Sequence, residues 1–186
     1  MEQARMGSAT GSRRLEPMSI VPYRGIVPKI HSTVFVAEGV HIIGDVEIGE
    51  WSSLWYNVVV RGDVNRIRIG ERTNIQDNSV LHVTHDDFPL IVGSNVTIGH
   101  GVVLHAATIR DQCLLGMGAI VLDNALVGPY ALVAAGSVVL ANTVIPEGTL
   151  AAGVPAKVVR PLTEAERESI VKSAFNYVEY ARNYRT

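Results

Sequence analysis

Cysteine is almost missing from this chain. Its 186 residues include one, Cys113, which excludes an internal disulfide framework. Aromatic side chains are also few, 6% of the sequence against 47% apolar residues overall, so any core must be built from small aliphatic groups. An excess of either charge is lacking as well. A formal net charge of -2 gives no electrostatic case for nucleic acid or an anionic membrane surface. No apolar run reaches the roughly 18 residues that a membrane span requires, because glycine and polar residues interrupt them all. Residues 1–17 are rich in Gly, Ser and Arg and lack the hydrophobic stretch of a secretory signal. A tag or disordered arm is therefore expected over residues 1–19, with Met18 available as a native start. The length suits one domain with a sizeable core, and the expected compartment is the cytoplasm.

What is present is a beat of six. Aliphatic residues recur at every sixth position through Ile109, Leu115, Val121, Val127, Val133, Val139 and Ile145, with a small residue four places after each. Cys113 falls on that small-residue beat, as a packing group rather than a nucleophile. An earlier run keeps the same period through Ile30, Val36, Ile42, Ile48, Leu54 and Val60. Neither a helix nor a flat strand has this period, so the sequence describes a repeat architecture. Each hexad reads as a short strand and a bend, and three hexads make one coil of a triangular prism with the aliphatic residue inside. Glycines at the bends (Gly44, Gly49, Gly70, Gly93, Gly99, Gly116 and Gly128) are expected to supply the positive φ of the corners. Stacked coils pair as parallel sheet, giving a mainly β fold: a parallel β-helix of about six coils over residues 20–160. Thr163 and Glu166 then form a capping box, and Ile170, Ala174, Tyr177, Ala181 and Tyr184 follow at helical spacing, so residues 161–186 are expected as a C-terminal α-helix along the prism.

The beat also gives every residue an address. Nineteen inward residues, or rungs, run from Ile30 to Ile145, with Ile69, Ile75, Leu81, Val92, Ile98 and Leu104 between the two regular runs. Spacing slips after Val60, Leu81 and Leu104, and loops are expected to leave the prism around residues 61–66 and 83–89. His82 directly follows rung nine and His105 directly follows rung twelve, so the two imidazoles stack on one edge of successive coils. That separation suits two ligands of one metal. His100 lies two residues after rung eleven, on a different edge, and cannot reach the same ion within its own subunit. If all three bind one metal, a neighbouring subunit supplies His100, most simply in a homotrimer with sites between subunits. Arg61 sits on the His82 edge one coil below, and Asp77 sits directly below His100, so the two are expected to pair across that interface. Asp63, Asn74 and Gln76 flank it as polar support, while His31 and His41 read as surface residues.

These segments carry a resemblance. Arg61-Gly62-Asp63, Asn74-Ile75-Gln76-Asp77-Asn78, His82, and Gly99-His100 followed by His105 make the chain, from Tyr23 to its C-terminus, similar to the gamma-class carbonic anhydrases. In detail it resembles their short bacterial YrdA-like branch. The resemblance implies a left-handed β-helix trimer holding Zn²⁺, or Fe²⁺ without oxygen, through His82, His105 and a neighbour's His100. Hydroxide generated at the metal would attack CO₂ to give bicarbonate. Gln76 would orient that hydroxide, Asn74 would assist, Arg61 and Asp77 would pair between subunits, Asp63 would anchor the Arg loop, and Tyr177 would keep the family's aromatic.

The sequence also departs from the archaeal prototype. Val64 stands where the prototype has a glutamate used to export protons, the loop after His82 has no Glu, and Glu179 replaces an Asn. His85 is the available shuttle. A thioesterase-like hydrolase of CoA thioesters, a metal-free hexapeptide acyltransferase and a non-catalytic scaffold are the competing readings. The address argument predicts that His100→Ala loses bound metal as completely as His105→Ala. Metal stoichiometry, alongside a mass measurement in solution, checks it: a monomer that still loads metal fully defeats the interface argument.

Overall fold

The computed structural model describes residues 19–185, and most of them wind into a parallel solenoid of about seven turns. The rung addresses map directly onto the strand register. Ile42, Val60, Leu81, Leu104, Val121 and Val139 lie in one file of paired strands. Ile30, Ile48, Ile69, Val92, Ile109, Val127 and Ile145 form the second file. Val36, Leu54, Ile75, Ile98, Leu115 and Val133 form the third. Almost all of these side chains are buried, and Ile30 and Val36, on the first coil, are only partly so. This is what stacking demands, since an end coil has one neighbour to bury against.

The turn count exceeds the expected six because the third file continues. Strand Thr149–Gly153 pairs with Leu132–Val133 and places Ala151 opposite Val133, so a small residue occupies an inward site that an aliphatic search passes over. Strand Ala156–Pro161 then pairs antiparallel with Thr149–Gly153 and covers the sheet edge. The arm expected over residues 1–19, with its Met18 start, lies outside the described residues except for Ser19, which opens strand Ser19–Val21. Among the described residues no helix is long and apolar enough to cross a membrane.

Two local expectations are corrected. Of residues 61–66, expected as a loop, Arg61 and Gly62 stay paired and only residues 63–66, opposite Asp45 alone, bulge from the ladder. They run inside strand Val59–Ile69, which pairs with His41–Ile48 on both sides of a bulge: Gly44 faces Gly62 and Val46 faces Ile67. Residues 83–89, by contrast, form the expected loop.

The bend glycines were also assigned the wrong task. Of those seven, only Gly44 has positive φ. On the second and third files the left-handed residue is the third after the inward one, in columns such as Trp51, Arg72, Asn95, Gln112, Tyr130 and Gly148. Gly49, Gly70, Gly93, Gly99, Gly116 and Gly128 directly follow an inward residue, where a Cβ would strike the next coil. At Gly116 it would stand 2.5 Å from the backbone nitrogen of Ala135. Glycine is needed there for room, not for rotation.

The helix Glu164–Asn183 opens on the Thr163/Glu166 capping box and lies against strands Ser53–Leu54, Asn74–Ile75 and Thr97–Ile98 of the third file. Ile170, Ala174, Val178 and Ala181 are its buried residues, so Val178 takes the place expected for Tyr177, which is half-buried. Cys113 is buried among aliphatics, and burial pushes its thiol up to about 12, which leaves it inert as a nucleophile.

Two predictions follow from this packing. Gly116→Ala should cost roughly 1–3 kcal/mol through overpacking, whereas Gly118→Asn, at φ +68° with open space around it, should be near neutral. Paired denaturant melts separate them, and equal losses would refute the division of labour. Hydrogen bonds from Arg160 and then from the Thr163 backbone hold the Glu166 carboxyl down to about 2 from its ordinary 4.5. A carboxyl with a depressed folded-state pKa stabilises above its ordinary value and loses that contribution as pH falls toward 2. The helical circular dichroism signal should therefore weaken over that window, and Glu166→Gln should flatten this component.

Candidate metal centre

The sequence-predicted residues gather into two clusters on different faces. The first file carries Arg61, Asp63, His82 and His105. The third file carries Asn74, Gln76, Asp77 and His100, with Tyr177 beside them on the helix.

In the first cluster, strand pairing sets His105 directly opposite His82. Nδ1 of His82 faces Nε2 of His105 at 3.2 Å. The outer nitrogens face carboxylates: Nε2 of His82 is 3.1 Å from Asp63 Oδ1, and Nδ1 of His105 is 2.5 Å from Asp123 Oδ1. Each neutral imidazole has one N–H, and a carboxylate accepts only. When both N–H groups serve Asp63 and Asp123, the two inner nitrogens present lone pairs to each other. That contact is repulsive unless a cation lies between them. Burial, joined by Arg61 and His105 and opposed by Asp63, pushes the pKa of the His82 ring down and so disfavours a proton on that ring. A metal suits the pair: two nitrogens at about 2.0–2.1 Å from one tetrahedral ion lie about 3.3 Å apart. Carboxylates behind ligating histidines are the usual orienting arrangement.

Both carboxylates are kept ionised. Burial alone would raise Asp63, but hydrogen bonds from Arg61, at 2.5 Å, and from His82 hold it below the usual range. Burial likewise opposes ionisation of Asp123, and hydrogen bonds from Thr84 and His105 outweigh it. Asp63 Oδ2 thus accepts from Arg61 Nη1 within the same chain. Asp123 and Thr84 were missed by sequence reasoning: the next-coil counterpart of His105 by register is Leu122, and Asp123 is the residue after it.

In the second cluster Asp77 lies directly below His100, the position its address gave it, and its Oδ2 accepts from Nδ1 of His100 at 2.7 Å. Gln76 donates to Asn74 Oδ1 at 3.0 Å, Asn74 donates to Thr97 Oγ1 at 3.0 Å, and Thr97 donates to Ser173 of the helix at 3.2 Å. Asn74, Gln76 and Thr97 are buried under the helix, so this polar chain is rigid. Trp55, Tyr56, Tyr177, Tyr180 and Tyr184 wall a cleft of about 370 Å³ beside Asp77 and His100. Burial, then Asp77 and Tyr180, raise the Tyr177 hydroxyl above its ordinary pKa.

Among the described residues no three His, Cys, Asp or Glu side chains are grouped to hold a metal within one chain. His100 belongs to the second cluster, away from the His82–His105 pair. His31 and His41 are exposed, and His85 pairs with Asp86 at 2.7 Å on the exposed loop.

The fold and these clusters define a hexapeptide-repeat solenoid. Residues 28–62 match the family of the bacterial transferase hexapeptide (six repeats). A solved hexapeptide transferase family protein from Anaplasma phagocytophilum superimposes with a TM-score of 0.86 at 45% identity, covering 89% of this chain and 97% of that one. A carbonic anhydrase of Geobacillus kaustophilus is 51% identical over 166 residues, 89% of this chain and 91% of that protein. Protein YrdA of Escherichia coli is 43% identical over 169 residues, 88% of this chain and 92% of its own length. The chain belongs to the gamma-class carbonic anhydrase family.

The facing lone pairs predict that a chelator lowers the melting temperature and that added zinc restores it. A metal at 100 times its Kd contributes about 2.7 kcal/mol. His82→Ala should abolish the difference, and a melt indifferent to chelator in the parent protein would count against a bound cation.

Proposed function

We propose that this protein is a metal-dependent carbonic anhydrase that acts as a cytoplasmic homotrimer. His82 and His105 of one subunit and the partner subunit's His100 would hold Zn²⁺ or Fe²⁺. The observation that carries the reading is the inner nitrogen pair at 3.2 Å with a carboxylate behind each ring. The splitting of the ligand set over two faces supports the trimer, since one subunit presents each half outward and cannot close the site alone. Bound there, the ion would bring the pKa of a coordinated water toward about 7 and so supply hydroxide for CO₂ at neutral pH.

The chain's own residues have separable tasks in this scheme. Asp63 and Asp123 keep the inner nitrogens free of protons. Gln76, its amide fixed through Asn74 and Thr97, orients the attacking oxygen, and Asn74 assists with the oxygen or CO₂. Arg61 pairs with Asp77 of the partner subunit while Asp63 holds its base. Tyr177 closes the wall beside the CO₂ and bicarbonate space. Val64 brings no proton acceptor, so export of the proton falls to His85, exposed and paired with Asp86, or to buffer.

One observation favours a second reading. The aromatic cleft beside His100, about 370 Å³, offers far more space than CO₂ needs and would seat the acyl end of a CoA thioester under the same metal chemistry. The deciding experiment is stopped-flow CO₂ hydration with zinc-loaded protein, and with Fe²⁺ under anaerobic conditions, against a His105→Ala control. Turnover that falls at least about 100-fold in the control supports the anhydrase. One metal per subunit without turnover would transfer the function to a thioester or to a structural role. Turnover on an acyl donor without metal would make it an acyltransferase.

A further inference from the structure

We infer that Asp123 is the positioning residue of His105, itself held by Thr84, so that the loop after one ligand histidine sets the tautomer of the other. The part of this inference that concerns metal rests on the function proposed above, and the part that concerns the tautomer does not.

Both oxygens of Asp123 are committed. Oδ1 accepts from Nδ1 of His105 at 2.5 Å, and Oδ2 accepts from the Thr84 hydroxyl at 2.6 Å. The Thr84 carbonyl in turn accepts from Nδ2 of Asn65 at 3.2 Å, and Oδ1 of Asn65 accepts from the Arg66 backbone at 2.8 Å. This chain of bonds fixes the Asp123 rotamer from the far side. The backbone fixes it from the near side: Asn124, the next residue, is the left-handed corner residue at φ 57°, and Nδ2 of Asn124 donates to Asn142 Oδ1 one coil on at 2.9 Å.

The chemical consequence is directional. A carboxylate oxygen at Nδ1 demands an N–H there, and a neutral imidazole with Nδ1–H has its lone pair on Nε2. Nε2 is the nitrogen turned toward His82. Without Asp123 the ring is free to carry its proton on Nε2, where it would occupy the position a metal needs. Thr84 is two residues beyond His82, so the segment leaving the first ligand steers the second.

The test uses metal-free protein labelled with ¹⁵N-histidine and compares the parent chain with Asp123→Ala, Asp123→Asn and Thr84→Val. Nitrogen shifts should report Nδ1–H for His105 in the parent and a shift toward Nε2–H in Asp123→Ala. Asp123→Asn, whose carbonyl can still accept, should stay near the parent. Zinc affinity, read by chelator competition, should fall about 10- to 100-fold in Asp123→Ala and less in Thr84→Val, which keeps the volume but lacks the hydroxyl. If Asp123→Ala does not fold, Thr84→Val and Asp123→Asn decide between the same outcomes. An Nε2–H tautomer in the parent, or a His105 tautomer unmoved by loss of Asp123 or of the Thr84 hydroxyl, overturns the inference. Failure of the parent to bind zinc sinks the metal reading alone, and the tautomer result still settles the role of Asp123.

Discussion

Coil-on-coil stacking in parallel register is the constraint on which everything else depends. Each turn of the solenoid buries its aliphatic rungs only against the turns above and below, so the register cannot drift without exposing the core. Because the register is fixed, the residue directly after each rung is fixed as well. On the second and third files that position is often glycine, pressed against the neighbouring coil. On the first file it holds Arg61, His82 and His105, side chains that project in line. The site is therefore a local change of residue type at a repeated backbone position, and the scaffold does not need to deform to present it.

The helix Glu164–Asn183 extends this logic to the third file. By covering Ser53, Asn74 and Thr97 it buries polar side chains that would otherwise face solvent, and Ser173 gives the Asn74–Thr97 chain a terminus for its hydrogen bonds. Burial of an amide such as Asn74 is tolerable only with its partners in place. Gln76 inherits that rigidity. The second cluster is thus held by the helix, whereas the first is held by carboxylates on adjacent coils, and each half is ordered without the other.

Much of the fold was legible because period six leaves few alternatives, and all nineteen rungs fall in register. The placement of His82 against His105, and of Asp77 beneath His100, came from the same count. What escaped it has physical reasons. Ala151 is inward but small, so an aliphatic search stops at Ile145 one rung early. The glycines look like turn residues in a sequence, and only the distance to the next coil shows that they make room. The segment 61–66 breaks the period because four residues, 63–66, stand opposite Asp45 alone and bulge out, while pairing resumes at Ile67. Asp123 and Thr84 were missed because a carboxylate at a corner and a hydroxyl in a loop look like ordinary turn chemistry until their side-chain directions are known.

The separation of His82 and His105 along the chain, 23 residues, has a consequence for how such a protein can change length. Whole turns added beyond Val133 would lengthen the prism and leave the pair untouched, since each coil answers only to its neighbours. A whole turn inserted between the two histidines would move them from one strand spacing to two, about 9.6 Å at the backbone, too far for a shared ion. For the His82–His105 pair, then, added length is harmless beyond Val133 and forbidden across one interval, whereas the second cluster also needs the helix to keep its reach to Thr97.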